Sequence, residues 1–240
     1  MSKALRISLE ILVLAAVPAV LVISAATHYE QASILTLVVC IGSLFIFFLG
    51  YERSKPPVRL IMPVVVLGSL AAAGRVLFAA FADFKPVTAI CVIAGAVFGR
   101  YTGFMVGAFA ALVSNIFFGQ GPWTPWQMYA WGLCGYFAGV FFFGRMHVDA
   151  SSESSAPVKR RLVLLCIYGA VASLCFGMLL NLWFMVGYVN PINLETILAT
   201  VAGSIVLDII HASATVIFLL VLYVPWAIKL ERVRLKYNLA

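Results

Sequence analysis

An arginine, an aspartate and a histidine stand inside long apolar runs of this chain. Arg75 lies in the stretch 60–82, and Asp208 and His211 lie in 196–228. A charge at the centre of a bilayer costs at least ~2.5–3.5 kcal/mol on insertion scales, so such groups pair or face a wet cavity. Asp208 and His211 are three apart and share one helix face. The expected arrangement is an Arg75–Asp208 ion pair at the floor of an outward-facing pocket. The plainer alternative is a pair that only fixes helix packing. Acid–base work on a lipid by Asp208 and His211 would need a second convergent polar cluster, and a metal site would need further ligands. The sequence shows neither, so no catalytic residue, metal or cofactor is expected.

The second group with chemical capacity is the run Gly119-Gln120-Gly121-Pro122-Trp123-Thr124-Pro125-Trp126-Gln127. Two prolines and two glycines exclude an ordinary helix interior. Gln120, Trp123, Trp126 and Gln127 supply aromatic faces beside amide donors and acceptors. Asn115, Trp131, Asn181 and Trp183 lie near the same boundary, and Lys85 follows Asp83 in another short loop. Such a set suits a planar ligand with polar edges. The competing explanation for the tryptophans is an interfacial aromatic belt. Interleaved Gln and Asn tilt the balance, because a belt needs no buried amides.

The elements that must position these residues are membrane helices. Of 240 residues, 64% are hydrophobic and 10% charged, a balance foreign to soluble domains. Eight apolar segments fall near 6–27, 33–50, 60–82, 86–100, 103–118, 126–145, 160–187 and 196–228. No space remains for a soluble catalytic domain. The net charge of +7 does not point to nucleic acid, because its position explains it. With eight spans, 14 of the 16 Lys and Arg residues fall on one side. That positive-inside pattern places both termini in the cytoplasm. The outer connections are then 27–31, 82–86, 119–125 and 187–195. The breaker Gly99-Arg100-Tyr101-Thr102-Gly103 divides 86–118 into two short helices, each about 15 residues or ~22 Å, whose ends neighbouring helices must cover. One long helix there would move Lys159–Arg161 outside.

The basic 52–59 connection separates a two-helix hairpin, residues 1–51, from a six-span part, residues 58–240. A polar linker, 148–159, divides the latter again. Residues 1–26 also have the layout of a signal peptide, but Glu10 and the length of the run favour a retained helix. The five cysteines lie in apolar segments without a Cys-x-x-Cys pair and are expected to be small buried hydrophobes. No Gly-Lys dipeptide occurs, which excludes a Walker A loop, so any ATP-driven motor is a separate chain. Small residues recur four apart: Gly68 and Ala72, Gly95 and Gly99, Gly103, Gly107 and Ala111, Gly135 and Gly139. Such rows permit close helix contact, either within the bundle or against another membrane protein.

Taken together, Ala71-Ala72-Ala73-Gly74-Arg75, Phe84-Lys85-Pro86-Val87-Thr88, Ser114-Asn115-Ile116, the Gly119–Gln127 run with Met128, Ala130-Trp131-Gly132 and Asp208-Ile209-Ile210-His211-Ala212 resemble the substrate-binding S component of energy-coupling factor (ECF) vitamin transporters. The resemblance spans roughly residues 60–228. It implies an all-α integral membrane protein with a six-helix bundle, here preceded by two extra N-terminal spans. It implies capture of a vitamin or related micronutrient, cobalamin-type in first place, from outside a prokaryotic plasma membrane. It also implies partners: a transmembrane T component, docked through Gly68, Ala72 and neighbours, and two cytosolic ATPases. The 82–86 loop would be a gate. The chain departs from the pattern at Ser213-Ala214-Thr215, where a Gly-Asn is expected, and in its extra hairpin. Two other classes stay open: a membrane scaffold or assembly protein, for which the outer Trp and Gln residues would be dispensable, and an intramembrane lipid-modifying enzyme.

Overall fold

The computed structural model describes residues 3–27, 32–53, 58–144 and 155–239. Among them are eight α-helices and no strand: α1 Lys3–Thr27, α2 Ala32–Arg53, α3 Ile61–Leu77, α4 Val87–Phe98, α5 Arg100–Phe118, α6 Thr124–Phe142, α7 Ser155–Tyr188 and α8 Leu194–Lys236. Each of the eight expected segments contains one helix. Five are long and apolar enough to cross a membrane by length and composition, whereas Leu14–Thr27 and Val87–Phe98 are shorter apolar helices. The outer surface is paved with exposed Ile, Leu, Val and Phe side chains, among them Val66, Ile116, Phe117, Ile205 and Val221. In water such a surface would aggregate; in lipid it is the solvated face. The 28–31 connection, residues 54–57, most of the 148–159 linker, and the side chains of Lys3, Arg6 and Arg145 lie outside the described residues.

The expected break inside 86–118 falls at Gly99, whose φ of +91° is open to glycine and costly for other residues. α4 is therefore only 12 residues, about 18 Å at 1.5 Å per residue. Every residue from Val87 to Phe98 is buried. It forms the centre of the bundle, with α3, α5, α6, α7 and α8 around it. A helix that ends inside the membrane leaves carbonyls without partners. Arg234 of α8 supplies one: its Nη1 donates to Val97 O at 3.0 Å, and its side chain also meets Glu231 at 4.0 Å and the Phe143 ring at 5.5 Å. Arg234 is 6% exposed. Replacing it with Ala removes a charged donor from a buried carbonyl and leaves Glu231 less compensated. A loss of ~3 kcal/mol or more is expected, seen as a lower melting temperature of the detergent-solubilised protein.

α4, α5 and α6 meet along glycines. A Cβ on Gly103 would run into Gly135 O, one on Gly135 into Gly103 O, one on Gly107 into Trp131 O, and one on Gly139 into the Arg100 backbone. The rows Gly103/Gly107 and Gly135/Gly139 therefore serve contact within the bundle. Gly68 belongs to the same class. It is buried against Phe109 of α5, and Ala72 is only 2% exposed. The partner-docking expectation divides here: Gly68 is covered by Phe109, whereas Ala72 lines an outer groove of α3 beside Ser69 and Ala73, the exposed small residues one position further on.

The extra hairpin packs on α5, α6 and α7. Val17, Leu21, Cys40, Leu44 and Phe47 share a core with Phe104, Trp126, Tyr129 and Tyr136. Phe47 stacks on Phe104 at 4.1 Å. The hairpin thus covers the side of the bundle away from α3 and α8. All five cysteines are free.

Candidate functional site

α5 ends at Phe118 because Gly119, at φ +94°, turns the chain out of the helix. The 119–123 loop then returns it to α6, which starts at Thr124 with Pro125 in its first turn. This turn brings the end of α5 and the start of α6 together beside the last turn of α3.

Arg75 is the hub. Its Nη1 donates to Ser114 Oγ at 2.7 Å and to Asn115 Oδ1 at 2.6 Å. Its guanidinium carbon lies 4.8 Å from the Phe118 ring centre and 4.9 Å from that of Trp131, within cation–π range of both. Asn115 passes the network on: its Nδ2 donates to Thr124 Oγ1 at 3.0 Å and to Gln127 Oε1 at 2.9 Å. Thr124 donates to Gln120 Oε1 at 2.9 Å, and Gln120 Nε2 donates to Leu112 O at 2.9 Å. Ser114 and Asn115 are fully buried. All of Asn115's side-chain hydrogens are used, whereas Gln127 is held only through its oxygen, so its NH2 group remains a donor for something else.

Trp131 connects this cluster to the centre. Its Nε1 donates to Thr88 Oγ1 at 3.1 Å, and Thr88 Oγ1 lies 2.7 Å from His211 Nε2. Thr88 Oγ1 thus accepts from Trp131 and shares a second hydrogen bond with His211 Nε2, which ties α4, α6 and α8 together. Phe176 stacks on Trp131 at 4.7 Å and meets the His211 ring edge-on at 5.1 Å.

The Arg75–Asp208 ion pair expected from sequence does not form. Asp208 accepts from Ser204 Oγ at 3.0 Å, and Ser204 in turn accepts from Asn181 Nδ2 at 2.7 Å. The reason is packing: Asp208 Oδ1 lies against Gly177 of α7, in space that any side chain there would fill. Arg75 meanwhile is drawn to α5 by two hydrogen bonds and two rings. His211 and Asp208, expected on one face, have separate partners. Among the described residues no group of three or more His, Cys, Asp or Glu could hold a metal.

The loop between α3 and α4, residues 78–86, lies between these two clusters. Asp83 has φ +48°, uncommon for a residue other than glycine but better tolerated by Asp and Asn. Its carboxyl is raised above the ordinary range, first by burial; Asp208 pushes the same way, while Lys85 and Arg75 oppose. Lys85 is lowered, first by burial, and its Nζ reaches Phe81 O at 3.3 Å. The sign for Asp83 follows. A raised pKa means the protonated acid is the better fit in the folded loop. That contribution is full below the ordinary carboxylate range and fades as pH rises through the raised value. Asp83→Asn, which mimics the neutral acid and accepts the same φ, is expected to hold the loop in place at neutral pH. Ligand dissociation measured between about pH 4 and pH 8 should quicken with pH in the native protein and stay slow and flat in the variant.

Of the residues singled out from sequence, Arg75, Asn115, Gln120, Gln127 and Trp131 converge. Asn181 and Asp208 form a second cluster through Ser204. Lys85 is on the loop. Trp126 is fully buried toward the hairpin, stacked at 6.3 Å on Trp183, and Trp123 is 37% exposed. They do not share a wall with Gln127. Ser114, Thr124 and Thr88 stood in the motifs without an assigned role, and Phe118 and Phe176 were not expected at the site. A hydroxyl in the otherwise apolar α4 was the available signal for Thr88.

No curated protein and no solved structure matches the chain. The family model described as the ECF-type riboflavin transporter S component matches residues 61–227. That span is well over half of the chain, begins with α3 and ends in α8, and contains both polar clusters and the loop between them. The chain is a multi-pass membrane protein that belongs to the ECF-type riboflavin transporter S component family.

Proposed function

We propose that this chain is the substrate-capture subunit of an ATP-driven importer and that it binds riboflavin, in place of the cobalamin-type ligand first expected. The observation that carries this reading is the convergence of Arg75, Asn115 and Gln127 beside Trp131. A flavin ring is flat and has an edge of alternating carbonyl oxygens and an N–H. The free NH2 of Gln127 and the unused hydrogens of Arg75 suit the carbonyls, and the exposed Phe118 ring beside Arg75 suits the ring face. The family's description names the same vitamin. The ligand enters from the side of the 78–86 loop, which acts as its gate. Asp208 and Lys85 complete the polar lining.

Delivery requires partners: a transmembrane T component and two cytosolic ATPases. The groove for the T component is the one lined by Ser69, Ala73, Leu77, Pro86, Phe117 and Phe218, about 720 Å³ in volume. The hairpin leaves it open. Ser69 and Ala73, four apart, allow a partner helix to approach closely. Ala73→Leu is expected to reduce co-purification with the T component at least ~10-fold, a 1.4 kcal/mol effect, with riboflavin binding unchanged. Riboflavin binding by the purified chain tests the capture reading itself; a native chain that binds no vitamin supports a scaffold instead.

A further inference from the structure

Because α4 stops at Phe98, the bundle has a gap beneath its C-terminal end. Arg234 fills part of it, and residues 237–239 fill more. Asn238, at φ +50°, turns the backbone so that Leu239 N bonds to Arg234 O at 2.9 Å and Leu239 becomes 2% exposed. A cavity of about 420 Å³ remains, lined by Met62, Pro63, Val66, Phe98, Val233 and Leu239, with Arg59 and Tyr237 at its polar end. That volume is in the range of small-molecule sites, ~300–1,000 Å³.

Three observations identify the occupant. The cavity opens sideways as well as toward the end of the bundle: Met62 is 66% and Val66 51% exposed, and both continue into the apolar outer face of α3. Arg59 is exposed and has no hydrogen bond or ion pair with any described residue. Lys236 Nζ stands 5.4 Å from the Tyr237 ring centre at the same end, so two cations flank the mouth of an apolar slot. An anionic headgroup joined to a hydrocarbon chain matches both parts.

We propose that this site holds one anionic phospholipid, its phosphate at Arg59 and Lys236 and one acyl chain in the slot between α3, α4 and α8. The site is separate from the Arg75 cluster and does not depend on which vitamin is bound. Its effect is to brace the α4 end, where Arg234 and Leu239 already pack.

The test is native mass spectrometry of the full chain, released from neutral detergent after incubation with equal amounts of phosphatidylglycerol and phosphatidylcholine of the same chain length. One phosphatidylglycerol per chain is expected, retained over phosphatidylcholine by about fivefold or more for each cation engaged. Arg59→Gln should bring the two lipids toward parity, and Val66→Trp, which fills the slot, should reduce retention of both. Equal retention of both lipids by the native chain overturns the proposal. So does an unchanged preference in Arg59→Gln, including the case where that variant instead loses the T component and the face proves to be a protein interface. Displacement of the lipid by equimolar glycerol phosphate would also overturn it, since the slot would then contribute nothing.

Discussion

Replacing Gly135 with alanine is expected to be among the most damaging single changes in this protein. A methyl group there meets Gly103 O, Gly103 C and Gly103 Cα. All three are backbone atoms of a helix that cannot swing aside like a side chain. Overpacking a core usually costs ~1–3 kcal/mol, and that range includes sites where a flexible neighbour gives way. Here the α5–α6 separation itself must grow. Arg75, Asn115, Gln127 and Trp131 bridge α3, α5 and α6, so the same shift stretches the site. A loss beyond ~3 kcal/mol is expected, with little monodisperse protein recovered after solubilisation. Gly42→Ala is the control, since a Cβ there meets nothing within 4 Å. It should behave like the native chain in size-exclusion profile and melting temperature.

The second large effect is on binding. Arg75→Leu removes hydrogen bonds of 2.7 and 2.6 Å to Ser114 and Asn115, along with the charge between Phe118 and Trp131. Hydrogen bonds to a charged group contribute ~1.5–3 kcal/mol each. Loss of the bond to Asn115 also frees that amide to rotate, so Gln127 is no longer held in place. A drop in vitamin affinity of ~100-fold or more is expected, which corresponds to about 2.7 kcal/mol. The fold should survive, because a leucine is at home in the membrane and Ser114 still donates to Ala111 O at 3.2 Å. Arg75→Gln keeps a donor and loses the charge, so its affinity should fall between the two. Equal losses in both variants would assign the whole effect to the charge.

The two outcomes mark what could be learned from the sequence. Helix positions followed from apolar run length and from breakers such as Gly99 and Gly119, because in lipid every backbone group must be satisfied within a helix. The grouping of Asn115 with Gln120 and Gln127 was also legible: twelve residues with one tight turn cannot hold them far apart. Rotation about a helix axis was less so. Trp126 and Gln127 are neighbours in sequence, yet on α6 they point about 100° apart, and the packing of Trp183 and the hairpin decides which neighbour each one meets. The same single-residue ambiguity assigned Gly68 to a partner surface, where it packs on Phe109 and the exposed small residues are Ser69 and Ala73. The Arg75–Asp208 pair was inferred from charge alone. Formal charge does not specify partners when serine and asparagine are closer, and Gly177, which makes room for Asp208, gives no sign of that role in one dimension.

We propose that riboflavin binds at the Arg75, Asn115, Gln127 and Trp131 cluster. The most direct measurement is a fluorescence titration of the purified chain with riboflavin, repeated with Gln127→Ala. One-to-one quenching is expected, with a dissociation constant of about 1 µM or tighter, and at least ~10-fold weaker binding when the Gln127 amide is removed. Native affinity in Gln127→Ala, or no binding of riboflavin by a well-folded native chain, would contradict it.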